Sequence, residues 1–287
     1  MNKAVMHIDE GWFPDAVSYR YEVDFFDIKQ IAESGQAFRF YELAERVGFL
    51  HYYNVSGDKY VEILQRGNCI ELLTKPEWVA YWEEYFGLKD DNLYEELFKK
   101  ISKSNDEPLI NGMKLAKGVR VLHQDGWETT LSFMLSAANS VHNISLYISR
   151  FCKCFGDFKV YKIGEYEVSY WTFPSYEAVK DKVTEETLRQ LGFGFRAKNI
   201  SKFILSMPKN FDFSSEKSLL SVTGIGNKIK DCILLYSNKE LDRIPMDVWM
   251  KRAADTLYTG QFPWEGFKPY RGICQIYLYY YCRHATL

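Results

Sequence analysis

The spacing of apolar residues changes near residue 120, and this change limits the folds open to the chain more than any other feature. Before it, Val47-Gly48-Phe49-Leu50-His51-Tyr52-Tyr53 and Tyr60-Val61-Glu62-Ile63-Leu64-Gln65 alternate, as strands with two unlike faces do. Ser56-Gly57-Asp58 and Arg66-Gly67-Asn68 supply turn chemistry between these runs, which predicts an antiparallel meander. Thr74, Pro76 and Glu77 have the form of a capping box, opening a helix with Trp78, Tyr81, Trp82 and Phe86 on one face, and a second helix is expected from Asp90. Beyond residue 120 the period is helical, with breaks at Gly156, Pro174, Gly192-Phe193-Gly194, Pro208, Gly224-Ile225-Gly226 and Pro245. Trp127 to Ala138 reads as a buried helix, and Ile144, Tyr147, Ile148 and Phe151 form an apolar stripe on the next. The fold class is therefore α+β. An N-terminal antiparallel sheet domain with helices spans 1–120 and an all-α unit spans 121–287, the boundary near 118–126 resting on the change of period alone.

Composition narrows the function classes. Hydrophobic residues make up 47% and charged residues 26%, which suits a packed core and argues against long disorder. No apolar run approaches the roughly 18 residues of a membrane span, and Met1 to Asp9 lacks the apolar stretch of a signal peptide. The expectation is a soluble, cytoplasmic protein, nucleoid-associated in a prokaryote and not secreted. The six cysteines, at 69, 152, 154, 232, 274 and 282, form no disulfide framework. Cys152-Lys153-Cys154 is spaced too closely for a zinc half-site, and the five histidines include no i, i+4 pair, so neither a metal nor a cofactor is expected.

Net charge taken whole points away from nucleic acid: 36 Lys and Arg stand against 38 Asp and Glu, a balance of −2. Residues 1–120 hold 15 of the basic and 21 of the acidic side chains, which leaves 21 and 17 for 121–287. Between 187 and 252 there are 12 basic residues and 6 acidic ones. An anionic partner is expected along that stretch.

The same stretch contains Leu219-Leu220-Ser221-Val222-Thr223-Gly224-Ile225-Gly226-Asn227-Lys228-Ile229-Lys230-Asp231-Cys232, read as a helix-hairpin-helix. Gly224 and Gly226 let a partner approach the backbone, and the free N–H groups opening the second helix can hold a phosphate oxygen without reading base sequence. A tight helix-helix turn explains Gly-x-Gly by itself; the basic surroundings favour DNA. Lys228 falls in the first turn of the second helix, where the helix dipole disfavours a cation, so it is a candidate amine nucleophile able to form a Schiff base with a sugar carbon. A solvated surface lysine is the ordinary alternative. Cys232, at i+4, shares its helix face. In Ile244-Pro245-Met246-Asp247-Val248-Trp249, Asp247 is placed to cap a further helix, which by itself is a structural role worth about 1 kcal/mol. A carboxylate there also suits stabilisation of a developing positive sugar.

Taken in order, these segments resemble the 8-oxoguanine DNA glycosylase/AP lyase family of the helix-hairpin-helix superfamily. The resemblance rests on Ser34-Gly35-Gln36-Ala37-Phe38-Arg39-Phe40, Gln124-Asp125-Gly126-Trp127-Glu128 with Ser132-Phe133, Phe173-Pro174-Ser175, Leu191-Gly192-Phe193-Gly194-Phe195-Arg196-Ala197, the hairpin with Lys228, and Pro245-Met246-Asp247-Val248. It implies base excision repair on double-stranded DNA by a monomer: Lys228 attacks the sugar carbon bearing 8-oxoguanine, Asp247 supports the attack, and the Schiff base permits β-elimination and a strand nick. It also implies that the Gly35 carbonyl accepts from the N7–H that distinguishes 8-oxoguanine from guanine. Gln275 reads the Watson–Crick edge, and Cys232 and Tyr279 sandwich the flipped base, tyrosine replacing a usual phenylalanine. Phe195 and Arg196 match the wedge and the arginine beside the orphaned base, with Gly224 and Gly226 on the phosphate. Around Asn139, assigned to DNA binding, the family usually has asparagine where this chain has Ala138 and arginine where it has Asn143, which implies weaker discrimination of the opposite base. Trp249 replaces a usual histidine at the DNA backbone.

An alkylpurine glycosylase of the same superfamily would use the aspartate without Lys228. An endonuclease III-like enzyme would need four closely spaced cysteines for an iron–sulfur cluster, where Cys274 and Cys282 are two. A non-catalytic helix-hairpin-helix DNA-binding protein would keep Gly224 and Gly226 with no need for Lys228, Asp247 and Gln275 together. No catalytic Ser/Cys–His pair or Gly-rich nucleotide loop is evident.

Overall fold

The computed structural model describes residues 5–7, 18–43, 48–163 and 166–284. Val47 and most of Met1 to Asp9 lie outside them. Strands β1 (Val5–His7) and β2 (Ser18–Glu22), helix α1 (Ile28–Glu33), and strands β3 (Phe40–Glu42), β4 (Leu50–Ser56), β5 (Lys59–Arg66) and β6 (Cys69–Leu73) open the chain. The strands form one antiparallel sheet in the order β1-β2-β6-β5-β4-β3. Both expected turns are two-residue hairpins. Ser56 pairs with Lys59 and Arg66 with Cys69, and Gly57 and Gly67 hold the positive φ of +57° and +59° that such tight loops require.

The capping box at Thr74 does not form. Thr74 is buried and its hydroxyl donates to the Tyr60 carbonyl, while Lys75 stands at the cap position of a 3₁₀ turn, Pro76–Trp78, without a side-chain cap. Helix α2 (Val79–Tyr85) follows and packs Trp82, Tyr85 and Phe86 onto the sheet. Then come α3 (Asp91–Ser102), beginning where expected, and α4 (Glu107–Leu115), whose Asp106 cap accepts from the Leu109 amide.

Helix α6 (Val141–Phe155) carries the predicted stripe, and α5 (Gly126–Leu135) is the predicted buried helix, though it stops at Leu135 and leaves Ala137 and Ala138 exposed in a turn. Strands β7 (Phe158–Ile163) and β8 (Tyr166–Trp171) then interrupt the region read as all helical. Their hairpin explains a second departure: β5 does not alternate buried and exposed, because both its faces are covered. Val61 and Ile63 pack towards α1 and α2, whereas Tyr60 and Leu64 cluster with Tyr170 of β8, whose ring lies 5.2 Å from that of Tyr60. The remaining helices are α7 (Tyr176–Val179), α8 (Glu185–Gln190), α9 (Ala197–Ser206), α10 (Glu216–Leu220), α11 (Asn227–Asn238), α12 (Val248–Leu257) and α13 (Arg271–His284).

Apolar packing does not part at the change of period. Tyr94, Leu97, Ile101, Leu109 and Met113 of α3 and α4 belong to the same core as Leu131, Ile148, Ile233 and Tyr277. Gly112 of α4 shows how closely α13 approaches, since a Cβ there would lie 2.9 Å from the Tyr277 carbonyl oxygen. In packing terms, α3 and α4 are part of the helical body, and the sheet with α1 and α2 forms the smaller layer. Among the described residues no helix is long and apolar enough to cross a membrane.

Candidate active site

The predicted hairpin joins α10 to α11. Gly224 has φ +99°, and a Cβ there would sit 2.9 Å from Cβ of Asn199 in α9, so both backbone and packing demand glycine. Gly226 is the N-cap of α11 and offers no side chain to its amides; Gly224, Gly226 and Asn227 are exposed. The helix start is thus open to an anion. Buried Lys230 pairs with Glu216 of α10 at 3.0 Å, and Arg243 pairs with Glu216 at 2.7 Å, clamping both helices to the segment that leads to Asp247.

Lys228 is the second residue of α11, as expected. Its Nζ donates to Ser136 Oγ at 3.2 Å and lies 5.0 Å from the Phe133 ring centroid. Cys232, one turn on, is buried. Burial pushes its thiol up to about 11; the nearby Lys228 ammonium pulls the other way, and the Asp247 carboxylate pushes further up. Lys228 and Asp247 thus both lie within electrostatic reach of one sulfur. Asp247 caps α12 as predicted, its Oδ1 accepting from the Met250 amide at 2.8 Å. Val248 and Trp249, next in the chain, are exposed, and the Arg252 guanidinium lies 5.6 Å from the Trp249 ring.

Helix α13 supplies another wall. Gln275 is 4% exposed and its Oε1 has no hydrogen-bond partner among the described residues, an arrangement that costs free energy unless a ligand completes it. Tyr279 lies one turn further, within electrostatic reach of Cys232 and Asp247; burial raises its phenol, which Arg283 partly offsets. Facing it is Gly35, just past the end of α1, at φ +75°. A Cβ on Gly35 would stand 3.3 Å from the Tyr279 hydroxyl and 3.4 Å from Arg283 Nη1. Gln36 anchors this loop: its Nε2 donates to the Arg120 carbonyl at 2.7 Å and its Oε1 accepts from the Leu122 amide at 2.8 Å. The Gln36 carbonyl accepts from Gln124, whose own amide donates to the Tyr236 carbonyl of α11.

Phe195, Arg196 and Asn139 form a separate group. Phe195 is 64% exposed, as a wedge must be, with the Arg196 guanidinium 4.4 Å from its ring. Arg196 does not stand free for an orphaned base. It is buried, with Nε 2.7 Å from the Ala137 carbonyl and Nη2 2.7 Å from that of Ala138. Ala138 holds φ +48°, a conformation that asparagine adopts more readily than alanine. The Asn139 side chain is spent locally, donating to the Leu135 carbonyl and accepting from the Ser140 amide.

Sequence reasoning brought Lys228, Cys232, Asp247, Gln275, Tyr279 and Gly35 together but missed Ser136, Phe133 and Arg283. Ser132-Phe133 lay within a quoted motif, yet neither periodicity nor spacing marks a serine at a helix end as a partner for a lysine 92 residues away. Among the described residues no group of three or more His, Cys, Asp or Glu could hold a metal ion.

Comparison with known proteins points the same way. Residues 18–130 match the family described as 8-oxoguanine DNA glycosylase, N-terminal domain. An N-glycosylase/DNA lyase of Saccharomyces cerevisiae is 27% identical over 263 residues, covering 80% of this chain and 68% of that protein. The Clostridium acetobutylicum 8-oxoguanine glycosylase/lyase, solved with double-stranded DNA carrying cytosine opposite 8-oxoguanine, superposes with a TM-score of 0.83 at 26% identity over 100% of this chain and 99% of that one. MBOgg1, solved with a low-affinity DNA ligand, gives 0.83 at 29% identity over 99% of this chain and 100% of that one.

Proposed function

This chain belongs to the 8-oxoguanine glycosylase/lyase family, and on that premise we propose that it flips 8-oxoguanine out of duplex DNA, excises it and nicks the strand. The observation that carries the reading is that Lys228, Asp247 and Tyr279 all lie within electrostatic reach of Cys232, beside the open hairpin, with Tyr279 packed against the Gly35 loop.

The hairpin amides hold a phosphate while Phe195 fills the space left by the flipped base. The base lies between Cys232 and Tyr279, with the Gly35 carbonyl accepting from N7–H and the unpartnered Gln275 Oε1 accepting at the Watson–Crick edge. Unprotonated Lys228 Nζ forms a bond to the sugar carbon as the glycosidic bond breaks, and its electron pair leaves with the base, which takes up a proton. The Asp247 carboxylate, with Oδ1 fixed by the Met250 amide, stabilises the positive charge that develops on the sugar. Ring opening leaves a Lys228 Schiff base; loss of a proton from the adjacent sugar carbon then expels the 3′ phosphate. The sheet layer, through the Gly35 loop that follows α1, and the helical body share this single pocket in a monomer acting on DNA in the cytoplasm, nucleoid-associated in a prokaryote.

Borohydride trapping on a duplex bearing one 8-oxoguanine tests the reading. A covalent adduct that disappears in Lys228→Gln is expected; absence of adduct and excision with the unaltered protein would falsify it.

A further inference from the structure

We propose that Arg283 is a positioning residue that sets lesion recognition by bracing the Gly35 loop against Tyr279. This rests on the function proposed above, which gives the Gly35 carbonyl the task of detecting a single extra N–H. A hydrogen bond rewards that proton only if the carbonyl oxygen stands about 2.9 Å from the nitrogen that carries it, so a displaced loop loses discrimination before it loses the pocket.

Gly35 lies in a connection, not in a helix or strand, and glycine resists displacement least. Gln36 secures one side of it. The other side is secured from the last turn of α13. Arg283 Nη1 donates to the Glu33 carbonyl at 3.0 Å, and the Tyr280 hydroxyl donates to Glu33 Oε2 at 3.2 Å. The same guanidinium lies 5.5 Å from the Tyr279 ring, and its Nη1 and the Tyr279 hydroxyl close on the same point beside Gly35. Arg283 therefore bridges the chain entering the recognition loop and the residue proposed to stack on the base. The space between them is narrow: a single Cβ on Gly35 would touch both the Tyr279 hydroxyl and the guanidinium. The hydroxyl matters here because a phenylalanine ring would offer Arg283 no oxygen.

The brace touches the base pocket but neither Lys228 nor the hairpin. It is thus needed to recognise a base and not to cleave a sugar from which the base is already gone. Single-turnover excision of 8-oxoguanine opposite cytosine and nicking of a pre-formed abasic site are measured for the unaltered protein, Arg283→Ala, Arg283→Lys and Tyr279→Phe. Arg283→Ala is expected to lower excision about tenfold or more while abasic nicking changes less than twofold. Arg283→Lys restores part of the loss, since one donor still reaches the Glu33 carbonyl. Tyr279→Phe is expected to lower excision several-fold, and adding it to Arg283→Ala produces less than the product of the two effects. Equal loss of excision and nicking in Arg283→Ala makes the residue merely structural and overturns the inference, as does unchanged excision. If Arg283→Ala does not fold, Arg283→Lys and Tyr279→Phe decide, and unchanged excision in both overturns it. Failure of the unaltered protein to excise 8-oxoguanine removes the proposed function instead, an outcome distinct from either.

Discussion

Lys228 and Ser136, 92 residues apart, meet at 3.2 Å, with the lysine ammonium donating to the serine oxygen. The serine's own proton is committed to the Phe133 carbonyl at 2.7 Å, so its lone pairs face the lysine. The end of α5 thereby fixes the nitrogen proposed as nucleophile. The Arg196 bonds to Ala137 and Ala138 hold the residues that follow, so one turn braces both the segment carrying Phe195 and the proposed nucleophile.

Ser136→Ala is expected to slow borohydride-trapped adduct formation about fivefold, the equivalent of one hydrogen bond worth about 1 kcal/mol, with Ser136→Thr near the unaltered rate. A rate unchanged in the alanine variant means the contact does not orient the nucleophile.

Asp247→Asn separates cap from charge. Asparagine caps a helix about as well as aspartate, so the melting temperature should move little, whereas excision should fall on the order of a hundredfold as the carboxylate opposing a positive sugar disappears. Affinity for lesion DNA is measured alongside; if it collapses in step with the rate, Asp247 is mainly structural.

Opposite-base discrimination should be weak. Ala138 carries no polar group, Asn139 is tied to the Leu135 carbonyl, and Arg196 is tied to two carbonyls, which leaves few side chains to question the estranged base. Comparable excision rates opposite cytosine, adenine, guanine and thymine are expected, and strict dependence on cytosine sinks the idea.

Alkaline pH should destabilise the fold through its thiols. Burial pushes Cys152, Cys232 and Cys282 each up from 9.0 to about 11. Between those values the unfolded chain releases protons that the folded chain retains, so stability falls as pH rises through 9, and Cys274 and the buried Tyr236 and Tyr277, pushed up further still, continue the fall. Urea titrations at pH 8 and pH 10 check the sign; alanine at Cys152 should reduce the difference between them.

The meander, the two glycine hairpins, the Asp247 cap and the hairpin before α11 were legible because each follows from residues within about four positions of one another. The β7–β8 hairpin is also written locally, between Phe158 and Trp171, but its short run is masked by a region otherwise helical in period. Thr74 failed differently: it has the residue type for a cap, yet its hydroxyl found its partner in the Tyr60 carbonyl, a contact written far from it in the chain.

Sequence alone thus determined the order of elements and the chemical types at the site, because propensity, capping and apolar period act over a turn or two of chain. Only the tertiary structure decided that Ser136 meets Lys228, that Arg283 braces Gly35 against Tyr279, and that α3 and α4 join the helical core. A polar side chain has many partners of similar energy, and the packing of distant elements selects which of them lies within 3 Å or so.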